Sequence, residues 1–236
     1  MNRNMLYISF FLNLVLLLFI GVLAYRYSWI NKIPEKVGLK EPPKPQDYLT
    51  TMSWNHTMES IDYDADVVFF GASLTSDGKW QEFFDTLKVC NLGKSGDRLE
   101  TMLWRVPQIT AVHPKKVFLA MEQNNMHGSS LEEIEVLYVT LIDSIQRSNP
   151  QTVLYLESLT PLNEKQYHRV CDNTIIKNVN KVIERVAKER GLQYIDIYNI
   201  FQVDGQLPMS ISTDGQHLKP EAYERWAFTL KPYIEQ

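Results

Sequence analysis

Cysteine is scarce. Only Cys90 and Cys171 occur among 236 residues, and their separation fits neither a CxxC redox pair nor a clustered metal site. A disulfide-stapled scaffold is therefore excluded. Buried free thiols are the expectation, with a bridge only if the fold joins the two in an oxidising compartment. Basic residues are not in excess either: 24 Lys and Arg stand against 28 Asp and Glu, for a net charge of −4. No Lys/Arg cluster interleaves with aromatics, so nucleic acid is set aside as a partner. Internal repeats and low-complexity tracts are also lacking. With 44% hydrophobic residues, the chain can bury one sizeable domain and carry an appendage.

The appendage is N-terminal. Residues 6–25 are almost continuously apolar, broken only by Ser9, Asn13 and Gly21, and about 20 such residues can cross a bilayer as a helix. A cleaved signal peptide ending at Val22-Leu23-Ala24 is the competing reading, but the run is longer than the usual apolar region of such peptides. A literal count of positive charge (Arg3 before the run; Arg26, Lys32, Lys36 and Lys40 after it) would leave the main domain in the cytoplasm. An extreme N-terminal segment of this kind normally carries the downstream domain across the membrane, and export to the periplasm or cell surface is the expectation. Pro34, Pro42, Pro43 and Pro45 then mark a stalk. Residues 47–61 lack a clear period and read as a short helix or arm packed on the domain. Asn55-His56-Thr57 matches a glycosylation sequon, a pattern common by chance.

From Asp66 onward, short buried strands alternate with amphipathic segments. Strands are expected at residues 67–70, 89–92, 117–121, 152–156 and 192–197, an amphipathic turn or helix at 78–87, and helices from Asp97 to about 109, from Ser129 through Ile145, at 174–190 and at 220–233. Each return to a parallel strand needs a crossover, so the pattern predicts an α/β fold, a three-layer α/β/α sandwich around a five-stranded parallel sheet. Ligands in such sheets sit at the carboxyl ends of the strands.

Val67-Val68-Phe69-Phe70-Gly71-Ala72-Ser73 ends there with a hydroxyl. A nucleophilic serine needs a base, and the base needs a partner that fixes its tautomer. Ser212-Thr213-Asp214-Gly215-Gln216-His217 supplies both in the last loop, with Gly215 allowing the turn that returns the carboxylate to the ring. Gly93 and Asn124 follow the second and third strands, where a backbone N–H and a side-chain amide could meet an oxyanion. A turn glycine and a loop-capping amide are the plain alternatives. Among the other histidines, His113 reads as structural, His127 as a loop residue within reach of substrate, and His56 and His168 have no partner visible in sequence. Trp80, Trp104 and the Met126-His127 region would serve as a sugar platform or a lipid wall, although core packing accounts for the tryptophans equally well.

Gly71-Ala72-Ser73-Leu74, Gly93 in Asn91-Leu92-Gly93, Asn124 in Glu122-Gln123-Asn124-Asn125, and Asp214-x-x-His217 resemble, in order and spacing, the four blocks of the SGNH (GDSL-type) hydrolases over residues 62–234. The resemblance implies Ser73 as nucleophile, Asp214 and His217 as its acid–base partners, and the Ser73 amide, Gly93 and Asn124 as oxyanion donors. It also implies a flavodoxin-like sheet, no cofactor and no metal. The expected organisation is a transmembrane signal-anchor at 1–27, a Pro-rich stalk and arm at 28–60, and the hydrolase domain at 61–236. Membrane-anchored hydrolysis of short, carbohydrate-linked acyl esters is the first reading. A lysophospholipase or thioesterase of the same mechanism, or a surface binding protein with little turnover, is the alternative. Three positions depart from the family pattern: Ala72 stands where aspartate is usual, Glu122 where glycine is usual, and Asn125 where aspartate is usual. Either Glu122 fills the space over Ala72 and takes over the lost hydrogen bonds, or its charge opposes an oxyanion.

Overall fold

The computed structural model describes residues 46–126, 128–167 and 171–235, together with Tyr7, Asn13 and Leu16. Apart from those three positions, the apolar segment and the stalk up to residue 45 lie outside the described residues, as do His127 and His168. Among the described residues no helix is long and apolar enough to cross a membrane.

Strand β1 (Val67–Gly71) is buried at every position, as a strand covered on both faces must be. Its side chains alternate. Val68 and Phe70 enter one core layer, Val67 and Phe69 the other. β2 (Val89–Asn91), β3 (Lys116–Ala120), β4 (Val153–Glu157) and β5 (Gln193–Ile195) complete a sheet ordered β2-β1-β3-β4-β5, parallel at every pairing.

One face is covered by α4 (Leu99–Ala111), α5 (Leu131–Ser148) and α6 (Asn173–Arg190), which bury Met102, Leu141, Ile176 and their neighbours. The other is covered by α3 (Trp80–Phe83), α7 (Ile197–Phe201) and α8 (Pro220–Ile234), through Trp80, Phe201 and Trp226. Helix ends follow local chemistry. Ser130 and Glu133 form a reciprocal capping box at the start of α5, and Gly191, at φ 65°, ends α6 in the left-handed region.

Of the two readings of the segment after the stalk the helix holds: α1 (Gln46–Glu59) is held on α4 by Asn55, whose amide donates to the Trp104 carbonyl and accepts from Gln108. Other expectations are refined or corrected. By its contacts one compact unit runs from Gln46 onward, and the Asn55 amide of the sequon is buried as a packing group. The amphipathic turn or helix expected at 78–87 is the short α3, and α2 (Ser73–Asp77) precedes it. The fifth strand stops at Ile195 because Asp196 caps α7 through the Asn199 N–H. Asp97 does not cap α4; its carboxylate is engaged by Arg105 and Thr101. Trp80 is core: its indole donates to the Thr75 carbonyl and its ring stacks on Phe69, centroids 4.3 Å apart. Trp104 packs edge-on against Tyr48 of α1. Both cysteines are free and partly buried.

Glu157, at the end of β4, is 1% exposed and accepts a 2.6 Å hydrogen bond from the Trp226 indole. Burial pushes its carboxyl up to about 8, against that hydrogen bond. The folded chain thus keeps a proton that the unfolded chain releases above the ordinary value of 4.5. Stability present below that value is lost as pH rises toward about 8. Glu157→Gln, which still offers the indole an acceptor, is expected to flatten the decline of the thermal midpoint between about pH 5 and about pH 8. An unchanged slope would assign the decline elsewhere.

Candidate active site

The β1–β3 register sets Gly71 opposite Ala120. A Cβ at residue 71 would collide with Thr75 and with the Ala120 carbonyl, so glycine permits the tight passage from strand into α2. Ser73 follows as the first residue of that helix, 7% exposed.

The last loop arrives over it. Asp214 Oδ2 lies 2.7 Å from His217 Nδ1, and His217 Nε2 lies 3.1 Å from Ser73 Oγ. The second Asp214 oxygen accepts the backbone N–H groups of Gln216 and His217 at 2.9 and 2.8 Å. Burial pushes the Asp214 carboxyl up, but the hydrogen bonds from His217 and Gln216 outweigh it and hold the group below the usual range. The loop is closed on itself. Ser212 Oγ donates to the His217 carbonyl and accepts from the Gly215 N–H, while Gly215 sits at φ +92°. This geometry holds the imidazole with Nδ1 on Asp214 and Nε2 toward the serine.

Glu122 lies two residues beyond Ala120, level with Ser73. Its Oε1 accepts the N–H groups of Ala72 and Thr75 at 3.0 and 3.2 Å, and its Oε2 lies 3.1 Å from Ser73 Oγ. It does meet the turn at Ala72 and is bonded to its backbone. Burial pushes this carboxyl up, against hydrogen bonds from Leu74, Thr75, Ser73 and Ala72. Asn125 turns away from the serine: its Oδ1 accepts the Leu99 N–H at the start of α4 and its amide donates to Glu100.

Ser73, Ser95, Gly96, Asn124, Gln166, Tyr167, Asp214, Gln216 and His217 line a cleft of about 510 Å³. Asn124 donates one amide hydrogen to the Asp97 carbonyl at 2.9 Å, which leaves the other available. Gly93 is not brought there. Its N–H is donated to Asn91 Oδ1 at 2.9 Å, a Cβ on it would run into Ser76, and it borders a separate hollow beside Thr51 and Trp54. The loop glycine facing Ser73 is Gly96, at φ +76°. Among the described residues no group of three His, Cys, Asp or Glu is gathered to hold a metal ion.

The GDSL-like lipase/acylhydrolase family matches residues 63–225, a span that contains every residue of this cleft. The chain belongs to that family. Among curated proteins, platelet-activating factor acetylhydrolase IB subunit alpha2 of Rattus norvegicus is 26% identical over 186 residues, 76% of this chain and 80% of the relative. A GDSL-like lipase from Bacteroides thetaiotaomicron superposes with a TM-score of 0.66 at 20% identity, covering 80% of this chain and 97% of its own. The acetyl xylan esterase AlAXEase gives 0.62 at 19% identity, covering 71% and 98%. These two share the fold.

The carboxyl beside the serine is carried by Glu122, which reaches the turn at Ala72 from the end of β3. Gln166, Tyr167 and Gln216 had no signal as cleft residues. The loop carrying the first two is placed by α6, where Asn180 pairs with both backbone groups of Leu159 and Asn173 with those of Leu162.

The two glycines of the β2–α4 loop are distinguishable by stability. Gly96 has open space at its Cβ position, so Gly96→Ala is expected to cost only left-handed backbone strain, about 1–2 kcal/mol. Gly93→Ala must move the backbone of α2 and is expected to lower the thermal midpoint considerably more. Equal midpoints for the two variants would contradict the assignment.

Proposed function

We propose that this chain is a serine carboxylic-ester hydrolase releasing short acyl groups from polar, carbohydrate-type alcohols. The observation that carries the reading is the continuous Asp214–His217–Ser73 hydrogen-bonded chain at the mouth of the cleft. Ser73 Oγ attacks the acyl carbon as His217 Nε2 takes its proton. Asp214 holds the ring and stabilises the imidazolium. The oxyanion is met by the N–H groups of Ser73 and Gly96 and by the free amide hydrogen of Asn124. The alcohol leaves with the proton from His217, and water then enters along the same path to free the acid.

The cleft supports the substrate class. Its described lining has no aliphatic side chain; Ser95, Asn124, Gln166 and Gln216 face it instead, a surface that matches hydroxyl groups rather than a long acyl chain. The names of the rat relative and of the xylan esterase both specify acetyl. The apolar run at residues 6–25 supports a membrane anchor, and its place at the extreme N-terminus, against the count of flanking positive charge, supports a domain that works outside the cytoplasm beyond the proline-rich stalk.

Turnover of a chromogenic acetyl ester tests the reading. Ser73→Ala and His217→Ala are each expected to lose roughly 10⁴-fold or more in kcat, and Asp214→Asn a comparable factor, with folding intact. Acetyl should be preferred over octanoyl by at least about tenfold in kcat/KM. If Ser73→Ala matched wild type, the enzyme would give way to a binding protein that keeps the pocket.

A further inference from the structure

We propose that Glu122 acts as a neutral acid, with its proton on Oε2 donated to Ser73 Oγ, so that the serine's own proton is turned toward His217. The proposal rests on the esterase reading above. Three contacts argue for it. Asp214 at 2.7 Å places the imidazole proton on Nδ1, leaving Nε2 as an acceptor. Ser73 has one hydroxyl proton, and a productive enzyme must direct it to Nε2, 3.1 Å away. Glu122 Oε2 lies 3.1 Å from the same oxygen; once the serine proton is turned to Nε2, this contact is a hydrogen bond only if Glu122 supplies the proton in place of accepting one. Oε1 is the carbonyl-type oxygen in this arrangement, since it already accepts two backbone N–H groups.

An ionised Glu122 would compete for the serine proton and draw it away from the base. It would also set a negative charge beside the oxyanion site. The neutral acid does neither. In acylation the Ser73 O–H bond breaks, its proton passes through His217 to the departing alcohol, and the new bond from Oγ to the acyl carbon replaces the alcohol's C–O bond; water reverses these changes at Ser73 in deacylation, and Glu122 keeps its proton throughout.

Burial favours the neutral form, against the N–H groups that the carboxyl accepts. The side chain is 4% exposed, and burial pushes its carboxyl up. Facing it are the Ala72, Leu74 and Thr75 N–H groups and Ser73 from the β1–α2 turn. Tyr223 of α8, bonded to the Leu74 carbonyl, feels both Glu122 and Asp77. The Asp214–His217 pair lies beyond Ser73. Among the described residues no Lys or Arg contributes to its surroundings.

Glu122→Gln imitates the neutral acid, with an oxygen for the two N–H groups and an amide donor for Ser73. The experiment is the pH profile of kcat/KM for acetyl-ester hydrolysis by wild type, Glu122→Gln and Glu122→Ala, with Ser73→Ala as background. Wild type is expected to lose activity on the alkaline side as Glu122 ionises, by about tenfold per pH unit beyond its pKa. The ratio of Glu122→Gln to wild type should therefore rise along the alkaline limb, by about tenfold per pH unit, while Glu122→Ala is depressed in kcat at every pH. A folded Glu122→Gln as poor as Glu122→Ala, or one with an unaltered alkaline fall, overturns the proposal. If Glu122→Gln does not fold, labelling of wild-type Ser73 by a fluorophosphonate decides instead. A rate that falls on the alkaline side supports the proposal, and one that keeps rising overturns it. Full activity in Ser73→Ala would overturn the esterase reading itself, a separate result from any outcome at Glu122.

Discussion

The pairing of β1 with β3 decides where the chemistry falls. Because Gly71 stands opposite Ala120, the residues two places further along each strand exit, Ser73 and Glu122, come level and meet at 3.1 Å. A one-residue slip would exchange the two faces of either strand, placing Val68 and Phe70 where Val67 and Phe69 belong. Burial on both faces forbids that slip. The nucleophile and the carboxyl beside it are therefore positioned by the same hydrophobic register that builds the sheet, and Asn124 inherits its place from Glu122 through one turn of 3-10 helix (Gln123–Met126).

The base comes from elsewhere and needs its own support. The loop from Ser212 to Leu218 has only an isolated bridge for regular structure, so Ser212, Gly215 and Asp214 satisfy its backbone internally. It is then pinned from the side, where the Asn163 N–H donates to the Gly215 carbonyl at 2.8 Å. Asn163 belongs to the same segment that Asn173 and Asn180 hold on α6. Buried asparagines thus replace a ladder where none can form, and the rigidity required of a catalytic loop reaches it through α6.

Much of this is legible in the sequence alone. The strand pattern yields the sheet because the parallel strands are short runs of buried Val, Phe and Leu separated by amphipathic helices. Ser73, Asp214 and His217 stand out because their spacing has a chemical reason. The glycine choice is not legible: Gly93 and Gly96 share one loop, and only the Asn91 side chain and a positive φ show which one packs and which one faces the cleft. Asn55 and Trp80 mislead for a related reason, since a three-residue pattern and an aromatic in a polar stretch carry no information about burial. Gln166 and Tyr167 are invisible because their loop is irregular and is placed by asparagines on a helix remote in sequence.

Two carboxyls flank Ser73, and their environments drive them apart. Asp214 is partly open to solvent and receives hydrogen bonds to both oxygens, which keep it charged beside an imidazole that becomes cationic during the reaction. Glu122 is sealed beneath the turn, where hydration is lost and no cation compensates. Opposed shifts in neighbouring titratable groups separate their roles. Here the charged member lies behind the base and the buried member behind the nucleophile. Exchanging their ionisation states would leave the imidazolium unstabilised and place negative charge beside the developing oxyanion, so both barriers would rise. A carboxyl at position 122 can therefore hold the turn through the Ala72 and Thr75 N–H groups while burial keeps its proton in place.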